Sequence, residues 1–162
     1  MLTLAAKSAA DEPPSALPDR TTGHALIGIL IVAHDTLGDS LARAVTHVLG
    51  TRPLQFEVLS VAAGDDPLQL LPAAREQVAR LDTGEGVLVF SDIYGATPCN
   101  LACKLLQPGR VEGLAGVNLP MLVRAFTYRS KGMETMITKA VSGGCDGVLH
   151  IKVDPVYAAT RS

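Results

Sequence analysis

The feature that most restricts the fold is a run of seven apolar residues, LIGILIV at positions 26–32, which ends at Ala33 and His34. Alternating apolar and polar residues mark a strand with one exposed face, whereas an unbroken apolar run is typical of a strand buried on both faces. Such strands belong to parallel sheets that carry helices on both sides. The run therefore predicts an α/β protein with this segment as a central strand.

Further strands are predicted at residues 56–61, 86–90 and, more weakly, 114–117, each separated from the next by a stretch of helical period. Residues 148–153 alternate apolar with polar side chains, the pattern of a half-exposed edge strand. The predicted fold is a small doubly wound, mostly parallel sheet in three αβα layers, with an antiparallel C-terminal edge strand.

The predicted helices have identifiable ends. Thr97 is predicted as the cap of the third helix with Pro98 as its first residue, and Gly143 and Gly144 are predicted to end the last one. Pro72 leaves two alternatives for the second helix, which is either kinked there or starts later than Pro67. The helices are predicted from Leu37 to Leu49, from Pro67 to about Leu81, from Pro98 to Leu106, and from Met121 to Val141 with a break at residues 130–132.

Length and charge limit the possible functions. The 162 residues suffice for one domain, predicted at residues 24–162, after a proline-containing extension at residues 1–23 that is predicted to be mobile. The formal net charge is −2 and the 14 Lys and Arg residues are scattered, which argues against nucleic-acid binding. No apolar run approaches the roughly 20 residues that cross a bilayer. Without a secretory signal or a disulfide framework, a cytoplasmic protein is expected, at most peripheral to a membrane.

Two strand ends bring candidate chemistry to one place. In open α/β sheets, ligands bind beyond the carboxyl ends of the strands, where the winding direction reverses. With the first strand beside the third, His34 and Asp92 emerge at that crevice, and neighbouring strands lie only ~4.8 Å apart. The carboxylate would then hold one imidazole nitrogen and leave the other as a nucleophile toward phosphorus. Taken singly, His34 could be a solvated loop residue and Asp92 a turn cap.

Two features near His34 and Asp92 could stabilise an incoming anion: the start of the first helix near Asp35 and Thr36, and a glycine-containing loop that follows Asp92. The backbone N–H groups of Gly95, Ala96 and Thr97 enter a predicted helix and could bind phosphoryl oxygens. No cofactor and no metal are expected, because neither G-x-G-x-x-G nor the P-loop pattern occurs, and no further Cys or His completes a site with Cys99 and Cys103.

Three segments resemble a known family: GILIVAH at 28–34, GVLVFSDIYGATPCN at 86–100 and GVNLPML at 116–122. They are similar to the mannose-type IIA component of the bacterial phosphoenolpyruvate-dependent sugar phosphotransferase system (PTS). The resemblance implies that His34 is the phosphorylated histidine, that Asp92 orients it, and that Gly95, Ala96 and Thr97 hold the phosphoryl oxygens.

The resemblance also implies partners. The phosphoryl group would come from the phosphohistidine of the small carrier HPr and pass to a IIB component, and the chain would form a homodimer in which the C-terminal edge strand can cross to the partner's sheet. A phosphocarrier in sugar uptake, itself a phosphotransferase component, is therefore expected. Three alternatives remain open at this point: a regulatory module without transport, a phosphoryl donor to dihydroxyacetone kinase, and a binding protein for a small anion.

Overall fold

The structure is a computed structural model that describes residues 25–152. Over this range, strands and helices alternate until two consecutive helices close the fold. The elements are β1 (Gly28–His34), α1 (Leu37–Leu49), β2 (Phe56–Val61), α2 (Pro67–Leu81), β3 (Val87–Ser91), α3 (Thr97–Cys103), β4 (Val111–Ala115), α4 (Leu119–Tyr128) and α5 (Met133–Asp146).

The described strands form one parallel sheet in the order β2-β1-β3-β4. The apolar run is central, as predicted, although β1 starts two residues later and includes His34 as its last residue. Ile29, Ile31 and Ala33 pack in the core that α1, α4 and α5 cover, while Leu30 and Val32 pack in the core under α2 and α3. Both faces of β1 are therefore buried, and the doubly wound three-layer α/β prediction is confirmed.

Helix α2 begins at Pro67. The alternative that the helix starts later than Pro67, which the presence of Pro72 had left open, is therefore wrong. The Asp66 carboxylate caps this helix by accepting a hydrogen bond from the Leu68 N–H at 2.9 Å. Pro72 lies inside the helix on an exposed position and removes one backbone donor, yet the helix continues to Leu81. The N-terminal cap and the burial of Ala74, Val78 and Leu81 offset the loss of that bond.

Gly143 and Gly144 do not end α5, contrary to the prediction. The helix continues to Asp146, and both glycines are buried against α4. A Cβ atom on Gly143 would overlap the Arg124 side chain, and one on Gly144 would lie 2.8 Å from Met121 Cε. The glycines allow the two helices to approach closely, which the sequence could not reveal without knowing which element packs there.

Two further strand predictions need correction. Strand β4 covers Val111–Ala115 and thus begins before the predicted segment 114–117. Residues 148–152 form no strand, and the Ile151 side chain is 91% exposed; Val153 lies outside the described residues, as does the extension at 1–23. The alternating pattern shows strand propensity, but a strand forms only when the segment pairs with a neighbouring backbone, and residues 148–152 pair with none of the described strands. Among the described helices, none is long and apolar enough to span a membrane.

Candidate active site

The site lies where the sheet reverses its winding direction. The chain passes from β1 to β2 on one side and later returns to place β3 on the other side of β1. Val32 of β1 is in register with Ser91 at the end of β3, so His34 and Asp92 leave the sheet side by side. The predicted contact between these two residues is present in the structure.

Asp92 contacts His34 at two points. One carboxylate oxygen, Oδ2, accepts a hydrogen bond from the His34 backbone N–H at 2.9 Å and lies 2.7 Å from Nδ1 of the imidazole ring. The other oxygen, Oδ1, accepts a hydrogen bond from the Ile93 backbone N–H at 2.8 Å. Both oxygens are thus committed, and the carboxylate is held from the ends of two neighbouring strands.

The electrostatics favour an ionised Asp92. Burial alone would raise the pKa of this carboxyl, whose side chain is only 8% exposed. Hydrogen bonds from the His34 backbone, the His34 ring and the Ile93 backbone stabilise the charged form and outweigh that effect, so the pKa of Asp92 lies below its usual value. The carboxylate is therefore an acceptor at neutral pH.

The His34 ring is arranged for nucleophilic chemistry. Its side chain is 47% exposed, in contrast to the carboxylate behind it. An ionised carboxylate accepts hydrogen bonds only, so the pairing with Asp92 favours the tautomer that carries the proton on Nδ1. The other nitrogen, Nε2, then keeps its lone pair, and an exposed imidazole in this state can attack an electrophile brought from solution.

The turn after His34 contains a feature that the sequence reasoning missed. Asp35 has φ of 44°, in the left-handed region, and its N–H donates to the Val61 carbonyl at 3.0 Å. This conformation lets the chain leave β1 sharply and begin α1 two residues later. Asp tolerates positive φ better than most residues, so an Asp directly after a strand is the weak signal that was available.

The candidate phosphate loop follows Asp92 and precedes α3. Gly95 has φ of 82°, and the Asn100 side chain donates to its carbonyl at 3.4 Å. Ala96, rather than the predicted Thr97, occupies the cap position, and α3 ends at Cys103 instead of Leu106. Thr97 is the first helical residue, and its exposed hydroxyl makes no hydrogen bond within the described residues. The phosphate-binding role of Gly95, Ala96 and Thr97 stays a prediction.

Two other properties of the site are visible only in the structure. Ser91, buried at the end of β3, directs its hydroxyl toward Asp92 Oδ1 at 3.5 Å, a distance at which a hydrogen bond is weak. Large apolar side chains that neighbour the dyad in sequence are exposed, including Leu37, Ile93 and Tyr94, the last at 85%. Exposed apolar side chains grouped in this way are typical of a contact surface for another protein. No group of three metal-ligating side chains occurs among residues 25–152.

Fold and site together define a class of protein: an open, doubly wound α/β domain with a histidine–carboxylate pair at its topological switch point. Residues 28–141 match the family model EIIA-man, described as PTS system fructose IIA component. The chain therefore belongs to the mannose-type IIA family of the sugar phosphotransferase system.

Individual proteins agree with this assignment. The mannose-specific EIIAB component of the PTS of Escherichia coli K12 is 30% identical over 136 residues, which cover 82% of this chain and 42% of that protein. The chain thus spans less than half the length of this curated relative.

Solved structures share the fold. The PTS component EIIA from Streptococcus agalactiae has a TM-score of 0.68 at 23% identity, covering 76% of this chain and 96% of that one. The mannose/sorbose-specific IIA subunit from Enterococcus faecalis has a TM-score of 0.70 at 18% identity, covering 79% and 96%.

Proposed function

We propose that this chain is a phosphocarrier that accepts a phosphoryl group from phospho-HPr on Nε2 of His34 and passes it to a IIB component in sugar uptake. The observation that carries this proposal is the 2.7 Å contact between Nδ1 of His34 and the buried carboxylate of Asp92, with the ring exposed on its other side. Membership of the mannose-type IIA family supports the reaction class.

The chemistry is a transfer between two imidazoles. The lone pair of His34 Nε2 attacks the phosphorus of the donor phosphohistidine, a new N–P bond forms, and the donor's N–P bond breaks with its electron pair returning to the donor ring. Asp92 keeps the proton on Nδ1 and balances the positive charge that develops on the ring. The backbone of Gly95 and Ala96 and the Thr97 hydroxyl would bind the phosphoryl oxygens.

The surroundings of the dyad support protein partners over a small substrate. Ile93 and Tyr94 follow Asp92 directly and are exposed, and Leu37 is exposed at the start of α1. A partner that seats on these apolar side chains would exclude water while its own phosphohistidine reaches His34. The resulting N–P bond would be protected from hydrolysis during the transfer.

We further propose that the chain acts as a homodimer in the cytoplasm, with residues 148–153 pairing with the partner's sheet. The exposure of Val148, Leu149 and Ile151 supports this proposal, because three large apolar side chains in solvent need a cover. Light scattering after size exclusion should give the mass of two chains, and deletion of residues 148–162 should give one. A monomeric full chain would contradict the dimer.

The phosphocarrier proposal is tested by incubating the protein with phosphoenolpyruvate and the upstream carriers, including HPr. We expect an acid-labile, base-stable phosphohistidine in the wild type, identified by mass and by ³¹P NMR, and none in His34→Ala. The matched control is His47→Ala, which removes an exposed histidine from α1 and should leave the adduct intact.

The same incubation separates the alternatives. If no adduct forms while inorganic phosphate binds reversibly, the chain is an anion-binding protein and the proposal is wrong. If the adduct forms, its transfer to purified IIB components or to dihydroxyacetone kinase identifies the acceptor.

A further inference from the structure

A cleft on the side of the molecule away from His34 combines unpaired positive charge with an apolar floor. It lies between the second half of α2, the end of α3 and the start of β4, and its volume is about 440 Å³. Helix α2 starts after the carboxyl end of β2 and ends before the amino end of β3. In the same way, α3 starts after the carboxyl end of β3 and ends before the amino end of β4. The cleft is therefore at the amino edge of the sheet, whereas His34 is at the carboxyl edge.

The charge in the cleft is mostly unused. Arg75 and Lys104 line it, and their side chains make no hydrogen bond or ion pair with any described residue. A third cation, Arg110, pairs with Asp82 and donates to the Gly84 carbonyl at 3.3 Å. Asp82 is the acidic residue of the lining, so three cations face one carboxylate.

The carboxylate of Asp82 is already committed. Its Oδ1 accepts hydrogen bonds from the backbone N–H groups of Gly84 and Gly86 at 3.0 and 3.1 Å, and its Oδ2 pairs with Arg110. Asp82 therefore holds the turn between α2 and β3 and cannot move to neutralise Arg75 or Lys104. Two positive charges remain available to a ligand.

The floor of the cleft is apolar. Val78, Leu105 and Val111 are buried there beneath the charged rim, and the Gln107 amide lies at the edge. A volume of this size is in the range of small-molecule sites, which combine apolar walls with a few polar groups that orient the ligand. A purely inorganic ion would use the rim and leave the floor in contact with water.

We propose that this cleft binds a small phosphate monoester, with the phosphoryl group between Arg75 and Lys104 and the carbon skeleton on Val78 and Leu105. A monoester carries close to two negative charges at neutral pH, which matches the two unpaired cations. Arginine is suited to phosphate because its planar guanidinium donates two parallel hydrogen bonds. This site is separate from the crevice at His34, and its existence does not depend on the phosphocarrier function.

The test is a ¹H–¹⁵N NMR titration of the full chain carrying His34→Ala, with sn-glycerol 3-phosphate as the probe and sodium chloride holding the ionic strength constant. We expect saturable shifts in residues 75–82 and 104–111, with a Kd of about 1 mM, an affinity open to so small a ligand. Inorganic phosphate and glycerol, titrated separately, should bind at least ~10-fold more weakly. Inorganic phosphate lacks the carbon skeleton that contacts the apolar floor, and glycerol lacks the phosphoryl group.

A double variant, R75Q with K104Q, should weaken binding of the probe by at least ~10-fold without changing the fold, since both side chains are exposed. The control variant, R43Q with K131Q, removes two exposed cations from elsewhere and should leave the Kd unchanged.

Three results would overturn the proposal. The first is a titration that does not saturate by ~20 mM probe, well above the expected Kd. The others are chemical shift changes confined to residues 92–97, and a Kd for inorganic phosphate equal to that for the probe. The second would place the anion at the His34 crevice, and the phosphohistidine assay on the wild type would still judge the phosphocarrier function separately.

Discussion

Replacement of Asp92 by Asn tests the central contact of the site with little change in shape. In the wild type, Oδ2 faces two N–H groups of His34, at 2.9 and 2.7 Å, and Oδ1 faces the N–H of Ile93 at 2.8 Å. An amide has one acceptor oxygen and one NH₂ group, so it cannot serve both sides. One of the two sides must therefore place a donor against a donor.

Both orientations of the new amide are unfavourable, for different reasons. If its oxygen faces His34, the NH₂ opposes the Ile93 N–H and leaves a donor unsatisfied, which costs about 1–3 kcal/mol of stability. If the NH₂ faces His34, it donates to Nδ1 and moves the ring proton to Nε2, which removes the nucleophile. Either orientation also removes the charge that balances the developing imidazolium, so we expect phosphorylation to slow by about 10²- to 10⁴-fold.

Rapid-quench measurement of phosphohistidine formation gives the rate, and urea unfolding gives the stability. The control is Asp39→Asn, which removes an exposed carboxylate from the first turn of α1 and should change the rate less than about 3-fold, as expected for a screened surface charge. Wild-type rate and stability in Asp92→Asn would refute the reasoning and leave Asp92 as a turn residue.

The same variant predicts a pH dependence. Because the pKa of Asp92 is lowered in the folded state, its carboxylate contributes stability that is fully present above the unfolded value of about 3.9. That contribution is lost as the pH falls through the folded pKa, below this value. The difference in unfolding free energy between wild type and Asp92→Asn should therefore be constant from pH 7 to about pH 5 and shrink below pH 4. A difference that does not shrink would show that the lost stability is not electrostatic.

Two further predictions address packing and phosphate binding. Gly143→Ala should lower the unfolding free energy by about 1–2 kcal/mol, because the new methyl meets Arg124 Cβ at 3.0 Å and the Pro120 carbonyl oxygen at 3.3 Å, and this overpacking exceeds the gain in helix propensity. Thermal unfolding beside Thr138→Ala, on an exposed position of the same helix, checks the prediction, and an unchanged melting temperature would contradict it. Thr97→Val should keep the fold and slow phosphorylation by about 10-fold, the cost of one hydrogen bond to a charged phosphoryl oxygen; an unchanged rate would exclude the hydroxyl from the phosphate site.

The sequence predicted the elements whose signal is local. The unbroken apolar run identified β1 as a strand buried on both faces, and the reversal of winding that follows placed His34 beside Asp92. Asp66 and Pro67 carry the local pattern of a cap and a first-turn proline and do begin α2, although the sequence alone left open a later start because of Pro72.

Two of the predictions that failed depended on which distant segment packs against the residues concerned. Gly143 and Gly144 look like a helix end in isolation, but they are a contact surface for α4. Residues 148–152 look like an edge strand, yet strand formation requires pairing with a neighbouring backbone, and these residues pair with none of the described strands. Single-sequence patterns report the preference of a segment and not the identity of its neighbour, which is why these two errors occurred at contacts between distant segments.

The two-point contact between Asp92 and His34 explains how an exposed histidine can keep a fixed orientation. Oδ2 of Asp92 accepts a hydrogen bond from the His34 backbone N–H and also contacts Nδ1 of the His34 ring. The carboxylate therefore fixes the His34 side chain relative to the His34 main chain. That main chain is fixed in turn by β1, whose residues pair with β2 on one side and β3 on the other. The imidazole is therefore held by a central strand of the sheet while 47% of its side chain remains exposed. A carboxylate placed elsewhere at the crevice could stabilise the charge on the ring, but it could not set the direction of Nε2 in this way.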